Sequence, residues 1–182
     1  MKNAAFLAVA LILILFVSAC EKKIITERSY TENKMNNKTW ESDEVYALFV
    51  NGKIGMSFQK YKKVEGVELV WYKLGLDCLD KKMGKQTLHY MLPSDPEYDY
   101  QSNPALASYN VAYLDGDVIC DDFRIYEADS VNNWIEITEE EDDFRHIKGR
   151  YSMTLTKWIT CDESVTDDTL VIREGVFDVY LE

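Results

Sequence analysis

The sequence predicts an all-β domain, an antiparallel barrel-like sandwich of about nine or ten strands built mainly from hairpins. Three observations carry that reading. Apolar residues recur at every second position in run after run from Trp40 onward, the spacing that puts them on one face of a strand. Asn-Gly, Asp-Gly and Glu-Gly pairs punctuate these runs, and such pairs supply the positive φ angles that tight hairpins need. No stretch shows three turns of amphipathic helical spacing, so the helical alternative has no segment to occupy.

The elements follow in order. Val45–Val50 is a compact apolar run that ends at Asn51-Gly52, a hairpin pair. Lys53–Lys62 continues it, with Ile54, Met56 and Phe58 on one face. Glu65-Gly66 breaks the chain before Val67–Leu76, which is apolar on both parities and reads as a strand covered on both sides. Gln86–Leu92 is a shorter strand, followed by a loop that holds all three prolines, Pro93, Pro96 and Pro104. Ala107–Leu114 and Val118–Ala128 flank Asp115-Gly116 as a second hairpin. Trp134, Ile135 and Ile137 open the next strand, and Glu139–Asp143 turns the chain. Ile147–Trp158 returns with Tyr151, Met153 and Leu155 alternating with Ser152, Thr154 and Thr156. Thr169–Ile172, Glu174-Gly175 and Val176–Leu181 read as a closing hairpin, with Phe177, Val179 and Leu181 on one face. Local hairpins that leave no open edge favour a closed or nearly closed barrel.

The first twenty residues have a different logic. Lys2 precedes a continuous apolar run from Ala4 to Val17, and Val17-Ser18-Ala19-Cys20 closes it with small residues and a cysteine. A positive start, a short apolar run and a small-residue cleavage site make a secretory signal peptide. The run is short of the roughly 20 residues a spanning helix needs. The ending Val17-Ser18-Ala19-Cys20 resembles the lipobox of bacterial lipoproteins. The resemblance implies cleavage before Cys20, acyl chains (palmitate among them) on that cysteine, and a membrane partner held through lipid. Stable anchoring takes about two acyl chains. The expected organisation is a signal peptide at 1–19, a lipidated tether at 20–39 and one β domain at 40–182. Residues 21–39 are polar and weakly patterned, as a tether should be. Glu21 follows the cysteine where an inner-membrane retention signal would carry Asp, so the resemblance implies an outer-membrane lipoprotein of the bacterial envelope. Periplasmic and cell-surface orientations both remain open.

The chain carries 32 acidic against 20 basic residues, a net charge of −12. Residues 21–120 hold 15 acidic and 13 basic side chains, and residues 121–182 hold 17 and 6, so the excess falls at the end. Phosphate backbones need a basic footprint, so nucleic acid is excluded as a partner. With Cys20 lipidated, Cys78, Cys120 and Cys161 remain. An oxidising compartment allows one disulfide among three possible pairs. No C-x-x-C occurs and neither His89 nor His146 lies near a cysteine in sequence, so no zinc site is expected.

No catalytic residue is expected. There is no G-x-S-x-G elbow, and His89 and His146 both sit within strand patterns. Asp121-Asp122 and Asp142-Asp143 are adjacent acids, and neighbours on a strand point to opposite faces. Calcium has two acidic clusters to consider, Asp115, Asp117, Asp121 and Asp122, and Glu139–Asp143. The patterned calcium loop is missing, and solvated turns explain both, so neither metal nor other cofactor is expected. The loop Pro93–Pro104 alternates Tyr98 and Tyr100 among amides and hydroxyls. Tyrosine with Ser and Asn gives contact area and adaptable hydrogen bonding, so Tyr98 and Tyr100 are the expected binding residues, for a glycan or an envelope protein.

The tether, the Trp40 entry and the segments Asn133-Trp134-Ile135-Glu136-Ile137-Thr138, Ile147-Lys148-Gly149-Arg150-Tyr151, Asp168-Thr169-Leu170 and Glu174-Gly175-Val176-Phe177-Asp178-Val179 resemble small surface lipoproteins of Bacteroidota with an all-β domain. That resemblance implies a β domain outside the cytoplasm and carries no catalytic residues. The functional expectation is a lipid-anchored envelope domain with a binding or interaction role. The alternatives are a small hydrolase using paired carboxylates and a lipocalin-like carrier of a small apolar molecule.

Overall fold

The computed structural model describes residues 29–64, 67–90, 103–113, 118–161 and 166–181. Eleven strands form one antiparallel sheet. They are β1 (Tyr30–Met35), β2 (Lys38–Glu41), β3 (Glu44–Val50), β4 (Lys53–Val64), β5 (Val67–Asp80), β6 (Gly84–Thr87), β7 (Leu106–Tyr113), β8 (Val118–Ile125), β9 (Trp134–Glu141), β10 (His146–Ile159) and β11 (Thr169–Tyr180). Glu127–Asn132 is a short 3-10 segment between β8 and β9. The all-β, antiparallel, sandwich-like architecture is the expected one, with eleven strands in place of nine or ten.

The strand order is β2-β1-β11-β10-β8-β7-β5-β4-β3, and β10 also carries β9, which carries β6. Long β10 makes the branch. Its first half, from His146 to Ser152, pairs with β9, and its second half, from Leu155 to Ile159, pairs with β8. Asn133 fills the gap between those two partners. Its side-chain oxygen accepts the Thr154 N–H at 2.8 Å and its amide donates to the Tyr126 carbonyl at 2.9 Å.

The sheet is not closed, so of the closed or nearly closed barrel-like sandwich expected, the open form is the one observed. Its two edges, β2 and β3, are joined through Ser42 and Asp43 alone. The Ser42 N–H donates to the Thr31 carbonyl on one side, and the Asp43 N–H donates to the Gln59 carbonyl on the other. Two residues can carry the chain across the seam but cannot build a ladder there. A similar gap between β5 and β6 is bridged by a side chain, since Gln86 accepts the Asp80 N–H at 2.8 Å and donates to the Asp80 carbonyl at 3.0 Å.

Tyr30–Met35 and the start of Lys38–Glu41 are strands of the sheet within the stretch expected as tether. Asn36 and Asn37 both have positive φ and turn β1 into β2, as asparagine tolerates. β1 faces inward with Thr31 and Asn33, both buried, and not with aliphatic residues. The Thr31 hydroxyl donates to the Val176 carbonyl at 2.7 Å and receives the Tyr151 hydroxyl at 2.8 Å, and the Asn33 amide donates to Tyr151 at 2.9 Å. Burial, against the opposing pull of those hydrogen bonds, pushes the Tyr151 phenol up to about 12.

β11 is one strand and not the expected hairpin. Leu170 and Ile172 are buried on even positions, and Phe177, Val179 and Leu181 are buried on odd ones. A one-residue slip would turn half of these outward. The bulge at Glu174, whose φ is +53, shifts the register between Met153↔Ile172 and Tyr151↔Gly175 and keeps both sets inside. The core runs through Ile54, Met56 and Phe58 of β4, Leu74 and Leu76 of β5, Phe123 of β8, Met153 and Leu155 of β10, and this face of β11.

Candidate functional site: an aromatic cleft with a lysine rim

On β4 the inward-facing row reads Ile54, Met56, Phe58, then Lys60 and Lys62. The first three are fully buried. The last two lie beyond the end of β3, whose ladder on β4 stops at Gln59. There the interior opens as a cleft of about 410 Å³. Its walls come from six strands and one turn. Met35 (β1), Trp40 (β2), Tyr72 (β5), Tyr109 (β7) and Leu170 (β11) give apolar surface, Asn36 comes from the β1–β2 turn, and Lys38, Lys60 and Lys62 stand around it.

The aromatic wall is an ordered stack. Trp40 meets Tyr109 edge-on with centroids 6.4 Å apart, and Tyr72 lies over Tyr109 at the same distance with planes 29° apart. Such geometries add to the area these rings bury. Phe123 backs Tyr109 edge-on at 5.9 Å, which ties the wall to the core. Burial pushes the Tyr109 phenol well above the ordinary range, Tyr72 beside it pushes the same way, and the Trp40 indole N–H opposes them. Tyr109 is therefore a neutral hydroxyl at any physiological pH.

Lys60 Nζ sits 5.9 Å from the Trp40 ring centroid, within reach of a cation–π attraction. Among the described residues no carboxylate lies within ion-pair distance of Lys38, Lys60 or Lys62. Lys34, Lys53, Lys81, Lys82, Lys148 and Lys157 each hold one, while Lys63, Lys73 and Lys85, away from the cleft, hold none among the described residues. Asp167 is the carboxylate among the described lining residues, and it accepts the Asn36 amide at 2.8 Å.

Most residues singled out from the sequence fall elsewhere. Tyr98, Tyr100 and Cys20 lie outside the described residues, as do Asp115 and Asp117. Asp121 and Asp122 diverge as strand neighbours should. Asp121 is buried and accepts Thr160 at 2.8 Å and Thr166 at 2.5 Å, whereas Asp122 accepts Asn110 at 2.9 Å and pairs with Arg124. In the acidic turn, Glu139 pairs with Lys148 and Asp143 with Lys81. Among the described residues no group of three or more His, Cys, Asp or Glu is arranged to hold a metal ion.

His89 is half exposed near Glu127. His146 is buried, stacked on Tyr180 at 4.0 Å, with Nε2 2.7 Å from Asp178 and Nδ1 3.2 Å from Glu141. Desolvation lowers its pKa, but the two carboxylates outweigh it and hold the imidazole above its ordinary value. It pins the adjacent ends of β9, β10 and β11, a structural task. Of the three possible disulfides the structure forms Cys120–Cys161 and leaves Cys78 buried within β5.

The cleft residues were not singled out from the sequence. The one signal that could have found them is the parity of β4, where lysine takes the positions that the preceding turns of alternation give to the core. No protein-family model matches the chain, no curated protein matches it as a relative, and no solved structure matches it.

Proposed function

We propose that this chain is a lipid-anchored domain of the bacterial envelope that binds a small molecule in the Trp40–Tyr72–Tyr109 cleft. The cleft itself is the observation that carries the reading. Small-molecule sites are concave, mostly apolar, and carry a few placed polar groups. Here about 410 Å³ stands open beyond the end of β3, walled by aromatics and edged by lysines that hold no ion pair among the described residues. On this reading the binding role falls to the cleft and not to Tyr98 and Tyr100, which lie outside the described residues. The carrier alternative is supported in a modified form, since the ligand would sit at the mouth of a packed sandwich and not inside a hollow one. The carboxylate hydrolase finds no support in the cleft, where Asp167 has no second acid beside it among the described lining residues.

The anchoring part of the reading rests on Val17-Ser18-Ala19-Cys20. An anchor on Cys20 would reach the domain at Tyr30, the end of β1 that pairs with Asp178. The cleft lies at the other end, beside Met35 and Leu170, about 20 Å along a six-residue strand. Its mouth would then open away from the anchored end and admit ligand from the aqueous side.

Native mass spectrometry of the full chain, purified from its own membranes in mild detergent, tests this. The wild-type chain should carry a small-molecule adduct of a few hundred daltons. Thr39→Trp, placed on the exposed rim, should lose it while keeping the fold. A wild-type chain without adduct, or an adduct that survives Thr39→Trp, would sink the reading.

A further inference from the structure

Resting on that reading, we infer that the cleft selects an anion: a small molecule with a flat or apolar body and one carboxylate-type head held by Lys60, Lys62 and Lys38. Charge balance carries the argument. The protein has 32 acidic and 20 basic residues, but around the cleft the balance is reversed, with three lysines to the single described lining carboxylate, Asp167, whereas Lys34, Lys53, Lys81 and Lys148 each hold a carboxylate. The three around the cleft find none among the described residues. Two of them occupy inward parity on β4, where Lys60 lies opposite Tyr72.

Lys60, half-buried beside Trp40 and Tyr72, has a desolvation cost that the exposed Lys62 and Lys38 avoid. The cation–π contact of Lys60 offsets part of it. An anionic ligand head would offset more, since charge-assisted hydrogen bonds are about twice as strong as neutral ones. The ring wall gives the ligand body its contact area. Asp167, whose carboxylate accepts the Asn36 amide at 2.8 Å, makes no ion pair with Lys60 or Lys62 and leaves the lining with a net positive charge among the described residues. The surrounding acidic surface adds selectivity: it repels anions generally and leaves the lysine-edged mouth as the place where one is welcome.

A matched pair of water-soluble probes tests the inference: naphthoate and its uncharged amide, naphthamide, which share one ring body. Binding to the full chain in nonionic micelles is measured by equilibrium dialysis against micelles alone. Naphthoate should bind about ten-fold more tightly than naphthamide, the effect of one charge-assisted contact. It should weaken as salt is raised, while naphthamide should not. Lys60→Gln with Lys62→Gln should bring naphthoate down to the level of naphthamide and leave naphthamide unchanged. Lys60→Arg with Lys62→Arg should retain the preference. Equal binding of both probes, unaffected by the Gln pair, would overturn the anion inference and leave the cleft as a binding site. Binding of neither probe would overturn the cleft reading itself. An unchanged melting temperature in the Gln pair shows that any loss is a loss of binding.

Discussion

Removing the Cys120–Cys161 disulfide by Cys120→Ala with Cys161→Ala should lower stability by about 4 kcal/mol, the chain-entropy estimate for a loop of this length. The two cysteines are 41 residues apart. That loop contains the 3-10 segment, β9 and all of β10, so reduction frees a large part of the unfolded chain. The bond sits beyond Asp122↔Ile159, the outermost pair of the β8–β10 ladder, and fastens that ladder at its end. Against a total of about 5–15 kcal/mol for a typical domain, the loss should be obvious in urea unfolding, as a midpoint that moves strongly to lower urea with a steeper slope, because the unfolded chain is freer to expand. A shift below about 1 kcal/mol would show that the β8–β10 ladder holds without its clasp. Cys78 is buried in β5, so it should not exchange with the pair in the folded state.

Gly149→Ala should cost about 3 kcal/mol or more, at the upper end of the range for overpacking. A Cβ at Gly149 would overlap both the Glu136 carbonyl oxygen and Phe177 Cζ. The ring could rotate, but the carbonyl belongs to β9 and is fixed by its ladder with β10. Gly175→Ala should be milder, because the atoms it meets at 2.6–2.7 Å are those of the Tyr151 ring and no backbone. The two sites are paired. Gly149 lies opposite Phe177, Gly175 lies opposite Tyr151, and the two rings stack with centroids 6.5 Å apart. Each glycine leaves the room its partner ring fills, which is why I-x-G-x-Y and G-x-F recur on facing strands. Thermal unfolding of the two variants side by side checks the ranking. Gly149→Ala melting at or above Gly175→Ala would contradict it.

Strand alternation was legible wherever the inward residues were apolar and the register unbroken, as in Ile54, Met56 and Phe58 or Tyr151, Met153 and Leu155. The Asn51-Gly52 turn was legible for the same local reason, and both residues do have positive φ. Three features were hidden because they are not local. β1 buries Thr31 and Asn33, which look like tether residues until Tyr151 is seen to satisfy them across the sheet. The Glu174 bulge swaps inward parity within one strand, so a single strand reads as two. The open seam depends on what Ser42 and Asp43 join, which only the strand order reveals. The site was hidden for a related reason. Trp40, Tyr72 and Tyr109 come from three distant segments, and aromatics in strands ordinarily mark core. Lys60 and Lys62 stood in a core row, yet lysines in a strand ordinarily mark solvent. Tyr98 and Tyr100 drew attention through composition, and they lie outside the described residues.

Fluorine NMR of the full chain labelled with fluorotryptophan tests the central claim, that this cleft is where the protein binds. The four tryptophans (Trp40, Trp71, Trp134 and Trp158) give four assignable signals, and only Trp40 is buried in the cleft wall. Titration with naphthoate should move the Trp40 signal alone and saturably. A titration that leaves Trp40 still while shifting Trp134 or the exposed Trp158 would place binding elsewhere and contradict the account.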